Sequence, residues 1–356
     1  MTPTTTSVPE LITAALYGGH NTSENITNST ECPDHEGWEW LDASQPVYIM
    51  LITVLGIVLN VFVLMVFFFH KKPCTVAEIY LSNLAAADLV LMCCLPFWAV
   101  NVSNGYNWPF GRALCKMVNM GIKLNMFGSI YFIVLVSIDR YIALVHPMSH
   151  GRMRRPKYAK LACFLMWCLG FILSIPTIIY REVQYFSEYD VNACFLDYPN
   201  DTVWLNLDGM LVIFGFIIPI SIISFCTIKI IRALKSQAVE RFSAEKTEQR
   251  ATTLILAVLL AFLICWVPFH IVTVVDLLLK VGSLRLCSLS AALEICNQIF
   301  TYLGLFNSAL NPLLYVIVGK NFRKKARELF KQWNIKRIGT FESSSSQLFP
   351  TVKTVT

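Results

Sequence analysis

The chain has 356 residues, of which 55% are hydrophobic and only 15% charged, with a mean hydropathy of +0.56. A water-soluble chain carries about 25% charged residues, so a wholly water-solvated fold is excluded and lipid is the main solvent. The net charge of +6 and pI near 8.7 report where lysine and arginine sit relative to a membrane, not an affinity for nucleic acid.

Residues 1–45 are polar and Thr-rich and are read as an extracellular segment. Crossing roughly 30 Å of hydrocarbon takes about 20 mostly apolar residues, and seven stretches meet that demand. Pro46 to Phe69 carries no charge, and Glu78 to Val100 encloses Asp88. Leu114 to Val145 exceeds the bilayer thickness and must tilt or protrude. Leu161 to Tyr180, Gly209 to Ile228, Ala251 to Val275 and Ile295 to Val318 complete the set. These define a seven-transmembrane domain over 46–320. Phe322, Leu329, Phe330 and Trp333 then alternate with Arg and Lys, as expected of an amphipathic helix over 321–334 lying on the inner leaflet. Residues 335–356, with serine from Ser343 to Ser346, are expected to be a disordered tail. The fold class is an all-α membrane protein, a seven-helix bundle with a short surface helix after the seventh span.

Lysine and arginine accumulate in cytoplasmic loops. None of the 29 basic residues lies in the first 45 positions, whereas 23 fall at Lys71 and Lys72, in Arg140 to Lys160, in Lys229 to Arg250, and from Lys320 onward. The N-terminus is therefore expected outside the cell. Glycosylation triplets agree, with Asn21, Asn25, Asn28, Asn101 and Asn200 all on the expected outer side. A basic leader with a long apolar stretch is missing at the start, so the first span is expected to direct insertion itself.

Several residues inside the spans need a physical reason. Asp88 places a carboxylate at mid-membrane depth, where charge is costly and usually functional. Ser129, Asn307, Ser308 and Asn311 would surround it with oxygens suited to a sodium ion or ordered water; a neutral, hydrogen-bonded acid is the competing reading. Pro96, Pro176, Pro219, Pro268 and Pro312 each remove a helix hydrogen bond and bend a span. Lys123, one or two turns into the third span, must meet water or a partner. Of twelve cysteines, Cys115, Cys194, Cys32 and Cys287 fall on the outer side, where disulfides persist. The other eight read as packing thiols, and no cysteine follows Cys296 to carry a lipid anchor.

Asn60, Leu-Ala-Ala-Ala-Asp-Leu around Asp88, Asp139-Arg140-Tyr141, Trp167, Pro219, Cys265-Trp266-Val267-Pro268 and Asn311-Pro312-Leu313-Leu314-Tyr315 occur one to a span. In that order they resemble the rhodopsin-like G-protein-coupled receptors over nearly the whole chain. The resemblance implies a Cys115–Cys194 staple and an Arg140–Glu248 clasp whose release admits a G protein; two snorkelling interfacial charges are the alternative. It also implies a packed trio of Ile130, Pro219 and Phe262 coupling a swing of the sixth helix about Trp266 and Pro268, with Tyr315 closing the inner end. Thr227 stands where many members carry a tyrosine partner for Tyr315, so that water-bridged contact is in doubt.

Leu305 replaces the retinal-bearing lysine of opsins, and Ile122 replaces the aspartate of amine receptors. The runs Cys74 to Leu81, Leu95 to Ala99, Asn107 to Gly111 and Val316 to Lys320 are similar to the bradykinin (kinin) receptors, most like their type-2 branch. That likeness implies a second link, Cys32–Cys287, and an acidic rim of Asp276 and Glu294 that takes a ligand arginine; solvated rim charges are the alternative. Trp98, Trp266, Phe269, Thr273, Gln298 and Tyr302 would line a pocket for the apolar half of a peptide, or serve only helix packing. Lys123 is a type-1 feature in a type-2-like chain. With Arg181 it would bind a terminal carboxylate, which leaves the preference between full-length and des-Arg kinins open.

The expected function is a kinin-type peptide receptor coupled to a Gq-class G protein that raises cytosolic calcium, with arrestin and receptor kinases at the tail. The runner-up is an angiotensin-like or chemokine-like peptide receptor. A membrane transporter would show internal repeats with broken helices in matched halves, and none is found. No nucleophile motif, metal-ligand cluster or phosphate loop points to an enzyme.

Overall fold

A computed structural model describes residues 39–71, 73–146, 155–187, 190–237, 246–281, 287–317, 319 and 322–333. Its helices are α1 (Glu39–Phe69), α2 (Val76–Ser103), α3 (Gly111–Val145) and α4 (Pro156–Tyr180). A fifth span, α5, is continuous through Asp201–Val212, a π-helical turn at Ile213–Ile217, and Ile218–Gln237; α6 (Lys246–Val281) and α7 (Cys287–Ile317) follow, then the short α8 at 322–333. Seven of these helices are long and apolar enough to cross a membrane. A two-stranded hairpin, β1 (Arg181–Phe186) and β2 (Val191–Leu196), interrupts the otherwise helical chain between α4 and α5. No strands are expected here from the sequence; a two-stranded hairpin of six-residue strands is too short to be stable by itself and is held by its neighbours.

α3 is the axis of the bundle. In its most apolar stretch 67% of residues are buried, against 22% in α4, which lies at the edge and turns side chains such as Phe164 and Ile172 outward. In lipid no hydrophobic force drives one helix onto another, so small residues and polar links decide the packing. Gly56 of α1 is such a contact: a Cβ there would lie 2.3 Å from Met92 Sδ of α2. One turn on, Asn60 Nδ2 donates to the Gly56 and Ser308 carbonyls at 3.0 Å each, tying α1 to α7. Trp167 Nε1 of α4 donates to Asn83 Oδ1 of α2 at 3.0 Å, while its ring meets Phe132 of α3 edge-on.

Helix ends follow local chemistry. Thr75 and Glu78 form a reciprocal capping box at the start of α2, with the Thr75 amide donating to Glu78 Oε2 at 2.8 Å. α1 begins seven residues before the expected Pro46, so that proline lies inside its first turns. α5 begins eight residues before the expected Gly209, and Asp208 is consequently a helical residue. The π turn at Ile213–Ile217 ends two residues before Pro219, whose missing amide leaves one carbonyl of the preceding turn without its usual helical donor.

α8 shows the expected amphipathic spacing, with Phe322, Ala326 and Leu329 buried and Phe330 and Trp333 exposed. Phe322 packs edge-on against Phe62 and Phe67. His70 Nε2 and Glu328 Oε2 meet at 2.9 Å in a hydrogen bond, and Lys325 and Glu78 pair at 2.8 Å, so two polar contacts fasten α8 to α1 and α2.

One expectation fails. Asn101, read as a glycan acceptor beyond the second span, lies inside the last turn of α2 with 1% of its surface exposed. Neither atom of its amide has a protein partner or an opening to solvent. The triplet pattern carries no information on helical phase, and at this phase the side chain points inward. Asn200 is exposed at the α5 N-terminus, where Oδ1 accepts from the Val203 amide at 2.9 Å, while Asn21, Asn25 and Asn28 lie outside the described residues. We therefore expect Asn101→Gln to leave the glycosylated mass of the expressed chain unchanged on deglycosylation-controlled gels; a downward shift would show that Asn101 is modified.

Candidate functional site

The hairpin sets the geometry of one end of the bundle. Cys194 of β2 is bonded to Cys115 in the first turns of α3, their Cα atoms 5.8 Å apart, and β1 pairs antiparallel with Val183 opposite Cys194. Asn119, one turn below Cys115, donates to its carbonyl at 2.8 Å and reaches Cys194 Sγ at 3.3 Å. Glu182 takes Lys116 at 2.7 Å and Arg112 besides; the hydrogen bond from Arg112 is the leading cause holding its carboxyl below the usual range. The Trp108 amide donates to the Asn192 carbonyl at 2.7 Å, closing the α2–α3 connection onto the strands.

Beneath this clamp lies a cavity of about 170 Å³ with largely apolar walls. Trp98 of α2, Lys123 of α3, Arg181 of β1, and Trp266 and Phe269 of α6 line it together. Arg181 is buried, and its Nη1 donates to the Cys194 carbonyl at 3.0 Å. Burial lowers its pKa to about 10, with Tyr198 opposing the fall. Lys123 is half-buried and opens into the same space. Two residues that sequence analysis misses share this lining, Tyr198 and Asp208. The Tyr198 phenol is pushed up to about 12, chiefly by burial and then by the Asp208 carboxylate. Asp208 had a sequence signal, since an acid directly before an apolar run lies on the first turns of any helix that starts early.

The remaining expected pocket residues are placed differently. Thr273 is buried and its hydroxyl donates to the Phe269 carbonyl of its own helix at 2.9 Å. Tyr302 bonds α1 instead, donating to Gln45 Oε1 at 2.7 Å and accepting from Tyr48 at 3.0 Å through its carbonyl. Gln298 is buried and Asp276 half-buried, and neither lines the cavity. Glu294 and Cys287 belong to α7, but their side chains, like all of Cys32, lie outside the described residues.

At mid-depth Asp88 is fully enclosed. Its Oδ1 accepts from Asn125 and Ser129, and its Oδ2 from Asn311, each at 3.2 Å, with Ser308 also hydrogen-bonded to it. Asn125, like Tyr198 and Asp208, is not among the expected site residues; it sits four residues before Ser129, hence on the same helix face, and donates to it at 3.1 Å. Asn307, the residue before Ser308 on α7, is also buried, and Asn307 Oδ1 and Asn311 Oδ1 are enclosed without a protein donor. These oxygens and one carboxylate form a donor set that suits a hard cation.

Between cavity and acid stands an aromatic relay. Trp266 faces Phe262 at 6.4 Å and Phe269 at 5.9 Å. It also lies against Gly304, where a Cβ would come within 3.3 Å of the indole. Pro219 and Phe262 border one small gap beside Trp266, and Ile130 belongs to the same buried cluster as Phe262 and Trp266. His270, buried and stacked on Phe216 at 4.8 Å, has neither ring nitrogen bonded to protein. His270 is an ionisable residue inside the expected span Ala251 to Val275, the same kind of mark that singles out Asp88 and Lys123.

At the far end Asp139 and Arg140 are both buried, with Arg140 Nε and Nη2 donating to Asp139 Oδ2 at 3.0 and 2.5 Å. Tyr141 Oη meets His146 Nε2 at 2.9 Å. The Glu248 side chain lies outside the described residues, so its clasp with Arg140 does too. Tyr315 and Thr227 each enclose a hydroxyl without a protein partner, consistent with the lost tyrosine at 227.

This arrangement coincides with what the chain is similar to. A family described as 7 transmembrane receptor (rhodopsin family) matches residues 59–315. The chain is 46% identical over 309 residues to the B2 bradykinin receptor of Oryctolagus cuniculus, covering 86% of this chain and 84% of that one. It is 44% identical over 333 residues to the Homo sapiens B2 bradykinin receptor, at 92% and 84% coverage. Against the Homo sapiens B1 bradykinin receptor identity is 39% over 320 residues, at 89% and 91%. The chain therefore belongs to the rhodopsin family of seven-transmembrane receptors, within its bradykinin receptor group, and is a multi-pass plasma-membrane protein and not an enzyme.

Proposed function

We propose that the chain is a receptor for a kinin-type peptide that enters at the hairpin end and signals through a Gq-class G protein to raise cytosolic calcium. The observation that carries the reading is the apolar cavity bearing Lys123 and Arg181 under the β-hairpin. An apolar peptide end with a free carboxylate supplies both things such a space lacks, a nonpolar filling and a negative charge. Asp276, near the outer end of α6, with Glu294 would receive a ligand arginine at the rim. The distribution of lysine and arginine supports an extracellular hairpin end and a cytoplasmic Arg140. The choice of Gq, and of arrestin and receptor kinases at the tail, rests on the family likeness.

The mechanism follows the side chains. Ligand in the cavity bears directly on Trp266 and Phe269, one turn around Pro268. Proline weakens the helical ladder there, so pressure on Trp266 is relieved by α6 pivoting against Pro219 and Phe262 beside α5. Motion of α6 away from α3 would free Arg140 from its helix-end partners for the G protein. Asp88, Asn125, Ser129, Asn307, Ser308 and Asn311 would hold a sodium ion, whose charge offsets that of the carboxylate and favours the inactive packing of α2, α3 and α7.

Cells expressing the chain should answer a full-length or a des-Arg kinin with a calcium transient; silence to both at normal surface expression refutes the reading. Lys123→Ser should weaken the des-Arg peptide by about 30-fold or more, as for loss of one partner of a buried charge pair, and shift preference toward the full-length form. An unchanged ratio in competition binding would remove Lys123 from ligand selection. Asp88→Asn keeps the side chain's size but not its charge, so the difference in kinin affinity between sodium and N-methylglucamine buffers of equal ionic strength should vanish. Its persistence would place the sodium effect elsewhere.

A further inference from the structure

The cavity that receives the ligand already holds an anion of its own. Asp208, on the first turns of α5, lines it together with Lys123, Arg181 and the Tyr198 phenol. Its carboxylate acts electrostatically on both Lys123 and Tyr198, and it is the attractive charge felt by Lys123, whereas Arg181 repels the ammonium. Lys123 and Arg181 sit on different elements, α3 and β1, and Arg181 is already directed toward the Cys194 carbonyl. The mobile member of the pair is thus the lysine, whose charge ends a flexible four-carbon stem. Among the cavity's lining residues the formal charges are two positive and one negative.

We propose that Asp208 is the resident counter-ion of Lys123 and competes with the ligand's terminal carboxylate for it, so that Asp208 is a selectivity-determining residue of the peptide site. Without ligand, an ammonium at this depth needs a compensating charge. A carboxylate entering the cavity must draw Lys123 from Asp208 and tolerate the repulsion of the acid it displaces. A peptide ending in a neutral amide meets neither demand and gains nothing from the lysine. Asp208 therefore lowers the advantage of a carboxylate-ended ligand over its amide without touching the apolar contacts both share.

This inference rests on the proposed carboxylate site at Lys123 and Arg181, and the experiment separates the two. Competition binding would be run on intact cells with a des-Arg kinin bearing a free C-terminal carboxylate and the same peptide amidated. Wild type, Asp208→Asn, Lys123→Met and the double variant are compared, each normalised to surface expression. Affinity ratios between the two peptides do not depend on how much receptor folds. Asp208→Asn is expected to tighten the carboxylate form by about tenfold and leave the amide form little changed; in the Lys123→Met background it should do nothing. Equal change for both peptides, or the same effect with and without Lys123, overturns the counter-ion assignment. A Lys123→Met variant that leaves the carboxylate-to-amide ratio at its wild-type value overturns the carboxylate site itself.

Discussion

A carboxylate in the middle of an apolar bundle constrains everything packed around it. Asp88 is fully enclosed, and burying a charge without hydrogen-bond partners would cost several kcal/mol even after relaxation. The bundle meets that cost by converging donors from two other helices, Asn125 and Ser129 from α3 and Asn311 from α7. Hydrogen bonds to charged groups are worth roughly 1.5–3 kcal/mol each, so the three helices are held at mutual distances that the apolar surfaces alone would not specify. Asn60 extends the same grip to α1 through the Ser308 carbonyl. Because helices in lipid lack a hydrophobic drive to associate, these polar links fix which turn of each helix faces which.

The second constraint lies at the hairpin end and is covalent. Cys115 and Cys194 are 79 residues apart in sequence, and joining them holds β2 over the mouth of the bundle. The register then follows: with Val183 opposite Cys194, Arg181 falls opposite Leu196 at the junction of α4 and β1, and its guanidinium reaches the Cys194 carbonyl. Arg181 is thereby fixed above the space into which Lys123 and Asp208 open from α3 and α5. The disulfide thus positions charge as well as backbone. Without it, a hairpin of twelve strand residues would have little of its own to hold its register.

Legibility in the sequence tracks the length scale of the physics. Seven apolar runs mark seven spans because a bilayer imposes a length on every helix at once. Asp88, Arg140 and Pro268 stand out because each breaks the rule of its surroundings, a charge or a proline inside an apolar helix. What does not show is phase and reach. The Asn101 triplet looks like a surface feature and its side chain faces inward, since α2 continues to Ser103 instead of stopping near Val100. Tyr302 has the composition of a pocket residue, but its hydroxyl is taken by Gln45 of α1, which a span beginning at Pro46 would leave out. Asp208 lies one residue outside the expected span and about two helix turns inside the actual one.

Read from the cavity downward, the same charges explain why a small event at one end can matter at the other. Lys123 and Asn125 are neighbours on α3, one opening toward Asp208 in the cavity and the other donating to Asp88. Trp266 belongs to the cavity lining and also rests on Gly304 of α7, seven residues before Asn311. A ligand that draws Lys123 away from Asp208 and presses on Trp266 therefore acts on both helices that hold the Asp88 cluster. Close-packed interiors shift between discrete arrangements instead of deforming smoothly. The α3–α7 contact at Asp88 is accordingly the element that a change of charge in the cavity would bias, and Arg140, on the same α3 helix, is where that bias would emerge.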